Sequence, residues 1–282
     1  MKFSFKTFVL VLAAVALVGL TVGGVLLSGF EGGGIFDGKN RRAVEMEKTV
    51  PAAQVQRLDV GSIDAEIRIH EGEGDQIRFH LHGWTSSANN PTDLTVRQDG
   101  DLVKVGVQRK YKFNISFFST NLILDVYLPK MKFREANLHT VSGEITVDAI
   151  DTMDFRASTT SGDMMVQNLR AERSRFNTTS GDVKAAGILG NLDSHTVSGE
   201  LRFNCDQFTN QTIKAGTVSG DVALDLPQGS SFTLNAHSVA GDIHCGFPIA
   251  TDSNRDNKLA GTVGSGRGSV EIGTVSGDIR VE

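Results

Sequence analysis

One five-residue phrase occurs seven times along this chain, and nothing else in the sequence restricts its fold as strongly. It reads TVSGE from Thr140, TTSGD from Thr159 and Thr178, TVSGE from Thr196, TVSGD from Thr217 and Thr274, and SVAGD from Ser238. Its glycines, Gly143, Gly162, Gly181, Gly199, Gly220, Gly241 and Gly277, are separated by 19, 19, 18, 21, 21 and 36 residues. Self-similarity at such a period marks a repeat architecture.

The residues after each acid show what a unit is made of. Apolar side chains fall at alternate positions: Ile145 and Val147, Met164 and Val166, Val183 and Ala185, Leu201 and Phe203, Val222 and Leu224, Ile243 and Cys245, Ile279 and Val281. Between them lie Thr146, Met165, Lys184, Arg202, Ala223, His244 and Arg280. A period of two is that of a strand with one buried face, and a helix could not bury this set. A unit of about 20 residues carrying one such strand cannot cover its own inner face, whereas stacked units form a continuous core. The expectation is an all-β chain with a parallel β-solenoid over 131–282, neighbouring strands about 4.8 Å apart. The stretches FRASTTSG, RFNTTSG and LDSHTVSG supply a second strand before each phrase. The seven glycines are then the corners, where φ > 0 or close backbone approach is needed. Composition agrees: 31 glycines accompany only 5 prolines, a turn-rich but ordered chain.

A longer correspondence joins LDVYLPKMKFREANLHTVSGEI, from Leu124, to ALDLPQGSSFTLNAHSVAGDI, from Ala223. In both, proline (Pro129, Pro227) stands fourteen positions before the corner glycine, and Asn137/Asn235 and His139/His237 fall in step, so the two read as copies of one module. Upstream, 55–130 carries strand patterns without the phrase and is expected to be an antiparallel cap on the solenoid. There, DGD at Asp99–Asp101 reads as a hairpin turn, and IDAEI at Ile63–Ile67 as a degenerate first copy. The polar run ATDSNRDNK, within the 36-residue interval, reads as a loop leaving one coil.

Phe8 to Leu27 is a 20-residue run whose only polar side chain is Thr21, the length of a membrane-spanning helix. Lys2 and Lys6 precede it, so residues 1–7 are expected in the cytoplasm, 8–27 as a signal-anchor, and 28–54 as a glycine-rich tether to an extracellular domain. A cleaved signal peptide is the competing reading, although its apolar core is usually shorter. The formal charge of −5 rules out the broad basic footprint of a nucleic-acid binder.

The acids after the corner glycines, Glu144, Asp163, Asp182, Glu200, Asp221, Asp242 and Asp278, form a column in a solenoid. Catalysis needs one pair set apart by its surroundings, and equivalent acids at every coil instead suggest capping of turn N–H groups. Calcium along the column is an alternative, but the nonapeptide of calcium-binding β-rolls is absent. His139, His195 and His237 belong to one column, two or three coils apart, too far to share a metal. His80 and His82 lie on one face of a strand and could ligate with a third group; an exposed strand pair is the plainer reading. Cys205 and Cys245 fall on inward positions two coils apart, beyond disulfide reach, and are expected as buried free thiols. GSGRGSV, from Gly264, is not followed by a helical pattern and is no phosphate loop. No catalytic residue, metal site or cofactor is implied.

The TVSGD/TTSGD units, the VYLPK-type strand before the first of them and the N-terminal anchor together resemble the bacterial putative-adhesin family of β-strand-repeat domains, which includes LiaG-like membrane proteins of Gram-positive envelope-stress operons. The resemblance covers roughly 55–282. It implies a β-solenoid-like domain outside the membrane and transfers no site residue. The function expected is that of a non-enzymatic, membrane-anchored envelope protein whose β surface binds a cell-wall polymer or an envelope protein. A polysaccharide-active β-helix enzyme and an accessory to an envelope-stress response are the alternatives.

Overall fold

Each repeat spends its residues in the same way: a strand, a corner made by the TVSG phrase, and a second strand on the opposite wall. This is seen in a computed structural model, which describes residues 41–86, 92–109, 120–255 and 257–282. The described residues are all-β and mostly parallel. The first part holds β1 (Arg42–Pro51), β2 (Arg57–Gly61), β3 (Glu66–Glu71), β4 (Gln76–Thr85), β5 (Thr92–Asp99), β6 (Leu102–Arg109) and β7 (Thr120–Leu128). Five coils follow in order: β8 (Lys132–His139) with β9 (Ile145–Val147), β10 (Ile150–Ser158) with β11 (Met164–Val166), β12 (Leu169–Asn177) with β13 (Val183–Ile188), β14 (Asn191–His195) with β15 (Leu201–Cys205), and β16 (Thr212–Gly216) with β17 (Val222–Asp225). Then come β18 (Phe232–Ala240) with β19 (Ile243–Cys245), β20 (Ile249–Arg255), β21 (Lys258–Val263), and β22 (Gly268–Ser276) with β23 (Ile279–Val281).

The strands form two sheets. Sheet A runs β1-β4-β7-β3-β9-β11-β13-β15-β17-β23-β19, and sheet B runs β20-β21-β18-β22-β16-β14-β12-β10-β8-β2-β6-β5. The alternating apolar residues point between the sheets: Ile145, Val147, Met164, Val166, Val183 and Leu201 are at most 1% exposed. Aromatic rings join the two walls, with Phe155 and Phe203 on either side of Phe176 at centroid distances of 5.7 and 6.0 Å. Full burial of each such side chain contributes about 1.5–3 kcal/mol.

Sequence order and spatial order part at both ends. The coil β22–β23 lies between β16–β17 and β18–β19, although it follows them in the chain. At the other end β2–β3 lies between β7 and the coil β8–β9. The two skipped links, β7 to β8 and β17 to β18, are those containing Pro129 and Pro227. The module that the sequence repeats is therefore the one that leaves a slot for an intercalated coil.

Several expectations change. ATDSNRDNK is not a loop leaving the coil; it falls in the antiparallel hairpin β20–β21, which extends sheet B past β18. Residues 55–130 are not purely an antiparallel cap, because β2 and β3 pair in parallel with β8 and β9 as a complete first coil. IDAEI does supply that coil's corner, with Ala65 where later coils have glycine. Asp99–Asp101 turns the antiparallel pair β5–β6. β1 occupies 42–51, inside the stretch read as tether, and pairs antiparallel with β4. The run Phe8 to Leu27 lies outside the described residues, among which no helix is long and apolar enough to cross a membrane.

Candidate binding surfaces

The corner is the most regular feature of the surface, and each of its positions has a separate task. The first residue of the phrase points inward: Thr140, Thr159, Thr178, Thr196, Thr217, Thr274 and Ser238 are all buried. Several of their hydroxyls reach the neighbouring coil, Thr274 Oγ1 donating to the Gly220 carbonyl at 3.2 Å and Ser238 Oγ to that of Gly277 at 3.0 Å, whereas Thr196 Oγ1 donates within its own corner to the Ser198 carbonyl at 3.3 Å. The glycines stack. A Cβ on Gly199 would lie 2.0 Å from the Gly181 carbonyl oxygen, and at Gly143, Gly162, Gly181, Gly220, Gly241 and Gly277 the gap to the adjacent coil is 2.0–2.2 Å.

The second position points outward. In spatial order it is Ile63, Val141, Thr160, Thr179, Val197, Val218, Val275 and Val239, every one β-branched. Backbone bonds between coils hold the row in register, as from Val141 N to the Ile63 carbonyl and from Thr160 N to the Val141 carbonyl, both 3.2 Å. Ile63, Val141 and Val239 are 49%, 43% and 52% exposed, and the others half-buried. Seven steps at the strand spacing give a ridge about 34 Å long. Beside it runs an exposed serine row: Ser142, Ser161, Ser180, Ser198, Ser219 and Ser276.

Four acids of the column hold coils together. Asp163 accepts the N–H of Asp182 at 2.8 Å, Asp182 that of Glu200 at 2.9 Å, Asp221 that of Asp278 at 2.8 Å, and Asp278 that of Asp242 at 2.9 Å. Glu200, one methylene longer, pairs instead with Arg202. Capping thus runs between coils, not within one turn.

The outer face of sheet B is a lattice of cross-strand ion pairs. Arg173 reaches Asp154 at 3.2 Å, Lys132 reaches Glu172 at 3.1 Å, and Lys214 reaches Glu271 at 3.3 Å. Exposed pairs like these contribute about 0–1 kcal/mol each. His139, His195 and His237 stand on this sheet three strands apart in both intervals, because the intercalated coil widens the second; no metal can join them.

Sheet A has a different outer face near its β1 end. His80 and His82 alternate on β4, and the antiparallel register sets His80 opposite Asp125 of β7. Asp125 is 7% exposed and holds two imidazoles, His82 Nε2 at 2.8 Å and His70 Nε2 at 2.9 Å. His70 Nδ1 continues to Asp148 at 2.6 Å, and His80 Nε2 meets Glu45 at 2.5 Å. Burial disfavours charge on His70, but Asp125 and Asp148 together outweigh it and raise its pKa. Burial opposes ionisation of Asp125, and the His70 and His82 bonds reverse this to hold it below the usual carboxylate range. The sequence offered His80 and His82 but not Asp125 or His70. The one available signal was an acid inside the apolar run LILDVYL.

Cys205 and Cys245 are both free thiols. Cys205 is buried, and that burial pushes its pKa up to about 12. Cys245 is only half-buried, contrary to expectation, because β19 ends sheet A and has a neighbour on one side only. Three strand steps now separate the two, not two. Of the GSGRGSV run, Gly264 to Arg267 form the turn into β22, where Ser265 N donates to Ser231 Oγ at 2.7 Å, and Gly268 to Val270 begin that strand, so a strand, not a helix, follows.

A family model described as Toastrack DUF4097 matches residues 55–189 and 131–282. The chain belongs to this family. It is the putative-adhesin β-repeat family that the TVSGD units resemble. No curated protein matches this Toastrack chain. Among solved structures it is similar to a putative adhesin from Bacteroides fragilis, at 9% identity and a TM-score of 0.41, over 85% of this chain and 97% of that one. A putative cell adhesion protein from Clostridium sporogenes matches at 12% identity and 0.35, over 85% and 99%. A putative lipid binding protein from Parabacteroides distasonis matches at 10% and 0.32, over 87% and 98%.

Proposed function

We infer that this Toastrack protein is a non-enzymatic binding scaffold of the cell envelope, a solenoid anchored through Phe8 to Leu27 with the repeat domain outside. The observation that supports the reading best is the corner ridge. Threonine would satisfy a β corner as well as valine, yet the row keeps Ile63, Val141 and Val239 largely exposed to water. A straight row of β-branched side chains beside a row of hydroxyls suits an extended polymer or the edge of another envelope protein. The corner acids do not favour hydrolysis, since four of the seven carboxylates are engaged in backbone caps between coils and Glu200 is paired with Arg202.

The test is binding of the full chain to purified wall glycans and to envelope protein extracts, with Val141→Lys, Val218→Lys and Val239→Lys combined. Retained far-UV circular dichroism with an affinity loss of at least about tenfold, or about 1.4 kcal/mol, supports the ridge as the contact surface. Binding that is unchanged in the triple variant refutes it.

A further inference from the structure

The histidine cluster lies on the outer face of sheet A, on β3, β4 and β7, and not in the corner phrases that carry the ridge. We propose that His80, His82 and Asp125 form a site for one divalent transition-metal ion of the zinc, nickel or copper class. One ligand atom from each comes within 4.8 Å of the other two. Donors sharing a tetrahedral zinc ion sit about 3.3 Å apart, so modest side-chain rotations close the triangle without moving a strand. Strand geometry makes this economical: alternate residues of β4 share a face, and the paired strand supplies the third donor beside them.

The surroundings of Asp125 distinguish this cluster from an ordinary surface ion pair. A carboxylate buried to this degree usually takes an arginine or lysine partner. Two arginines stand close by, and both are committed elsewhere. Arg68, opposite Asp125 in the β3–β7 register, binds Glu66 through Nε at 2.6 Å and Nη2 at 2.9 Å. Arg78 stacks on Tyr127 with its guanidinium 4.0 Å from the ring centroid. Asp125 is left with imidazoles on both oxygens.

The outer layer has the form that metal ligands need. His70 bridges Asp125 to Asp148, which fixes the orientation of the ligating carboxylate. Glu45 rests on His80 with its side chain 73% exposed, so it can rotate to become a fourth donor or yield that position to water. Two imidazole nitrogens and one carboxylate oxygen suit zinc, nickel or copper; calcium and magnesium demand more oxygens. A bound ion would tie β4 to β7, an antiparallel pair next to the edge strand β1 of sheet A.

The experiment uses the chelator-treated full-length protein titrated with Co2+ and then Zn2+. We expect uptake of one Co2+ per chain with visible d–d bands, displacement by Zn2+, and a Tm that rises with Zn2+. His82→Gln and His80→Gln should each remove the bands, His70→Gln should weaken affinity about 10–100-fold, and His195→Gln should change nothing. Asp125→Asn removes a buried hydrogen-bonded group and can unfold this end, so the histidine variants decide, with far-UV circular dichroism reporting the fold. No saturable uptake, or uptake that persists in the His80→Gln/His82→Gln double variant, overturns the proposal.

Discussion

An alanine at Gly199 would place its methyl carbon 2.0 Å from the Gly181 carbonyl oxygen, at a residue whose φ is +148°. Strain at such a φ costs about 1–3 kcal/mol, and overpacking adds about 1–3 kcal/mol. Gly229 separates the two contributions, because its φ is +82° but nothing lies within 4 Å of a Cβ there. Urea denaturation should therefore show Gly199→Ala losing markedly more stability than Gly229→Ala. A second residue-scale effect depends on pH. Arg57 donates to Asp101 through Nε at 3.1 Å and Nη2 at 2.6 Å. That bond, against partial desolvation and with help from the Arg57 and Arg134 charges, holds the Asp101 carboxyl below its ordinary range. A depressed native pKa adds stability that is present in full above the unfolded value and is lost as pH falls through the native one. Asp101→Asn should thus melt below the parent at neutral pH, with the gap closing as pH drops below about 3.9. High salt should narrow the same gap, since the pair is near the surface. At this scale the sequence is legible where residues repeat: seven copies expose the alternation and the corner glycines. It is opaque at Asp125 and His70, which meet only through strand pairings spanning more than fifty residues.

At the scale of strands and coils, the kind of unit and its seven corner-bearing copies were readable, but arrangement was not. Coils of one design present matching edges, so any coil can sit beside any other, and the repeat itself carries no instruction on order. The links carry it. The proline modules at Pro129 and Pro227 mark the two skipped slots, although the sequence showed only that they matched. The hairpin β20–β21 escaped notice because β20 (IATDSNR) carries no apolar alternation, and in β21 the alternation is carried only by Leu259 and Val263 on either side of Gly261. Intercalation predicts an unusual truncation phenotype. A chain stopped after Val263 loses β22 and β23, which pair with β16 and β18 in sheet B and with β17 and β19 in sheet A. Amide hydrogen exchange should then accelerate in all four neighbouring strands. Had β22–β23 been an outermost coil, only one flank would respond.

At the scale of the whole repeat domain, the ridge runs unbroken through coils whose chain order is scrambled. Val218, Val275 and Val239 are adjacent on the surface in an order the chain does not follow. The proposed binding surface is therefore a property of the assembled stack, while the proposed metal site belongs to one end of it. The intercalated coil also bears on synthesis. A ribosome releases β18 and β19 before the strands on which they rest, so this part of the fold must wait with its slot open. Closure comes only with residues 268–282. A chain lacking this segment presents four unpaired strand edges, those of β16, β17, β18 and β19, to proteases and chaperones, whereas one that contains it covers them.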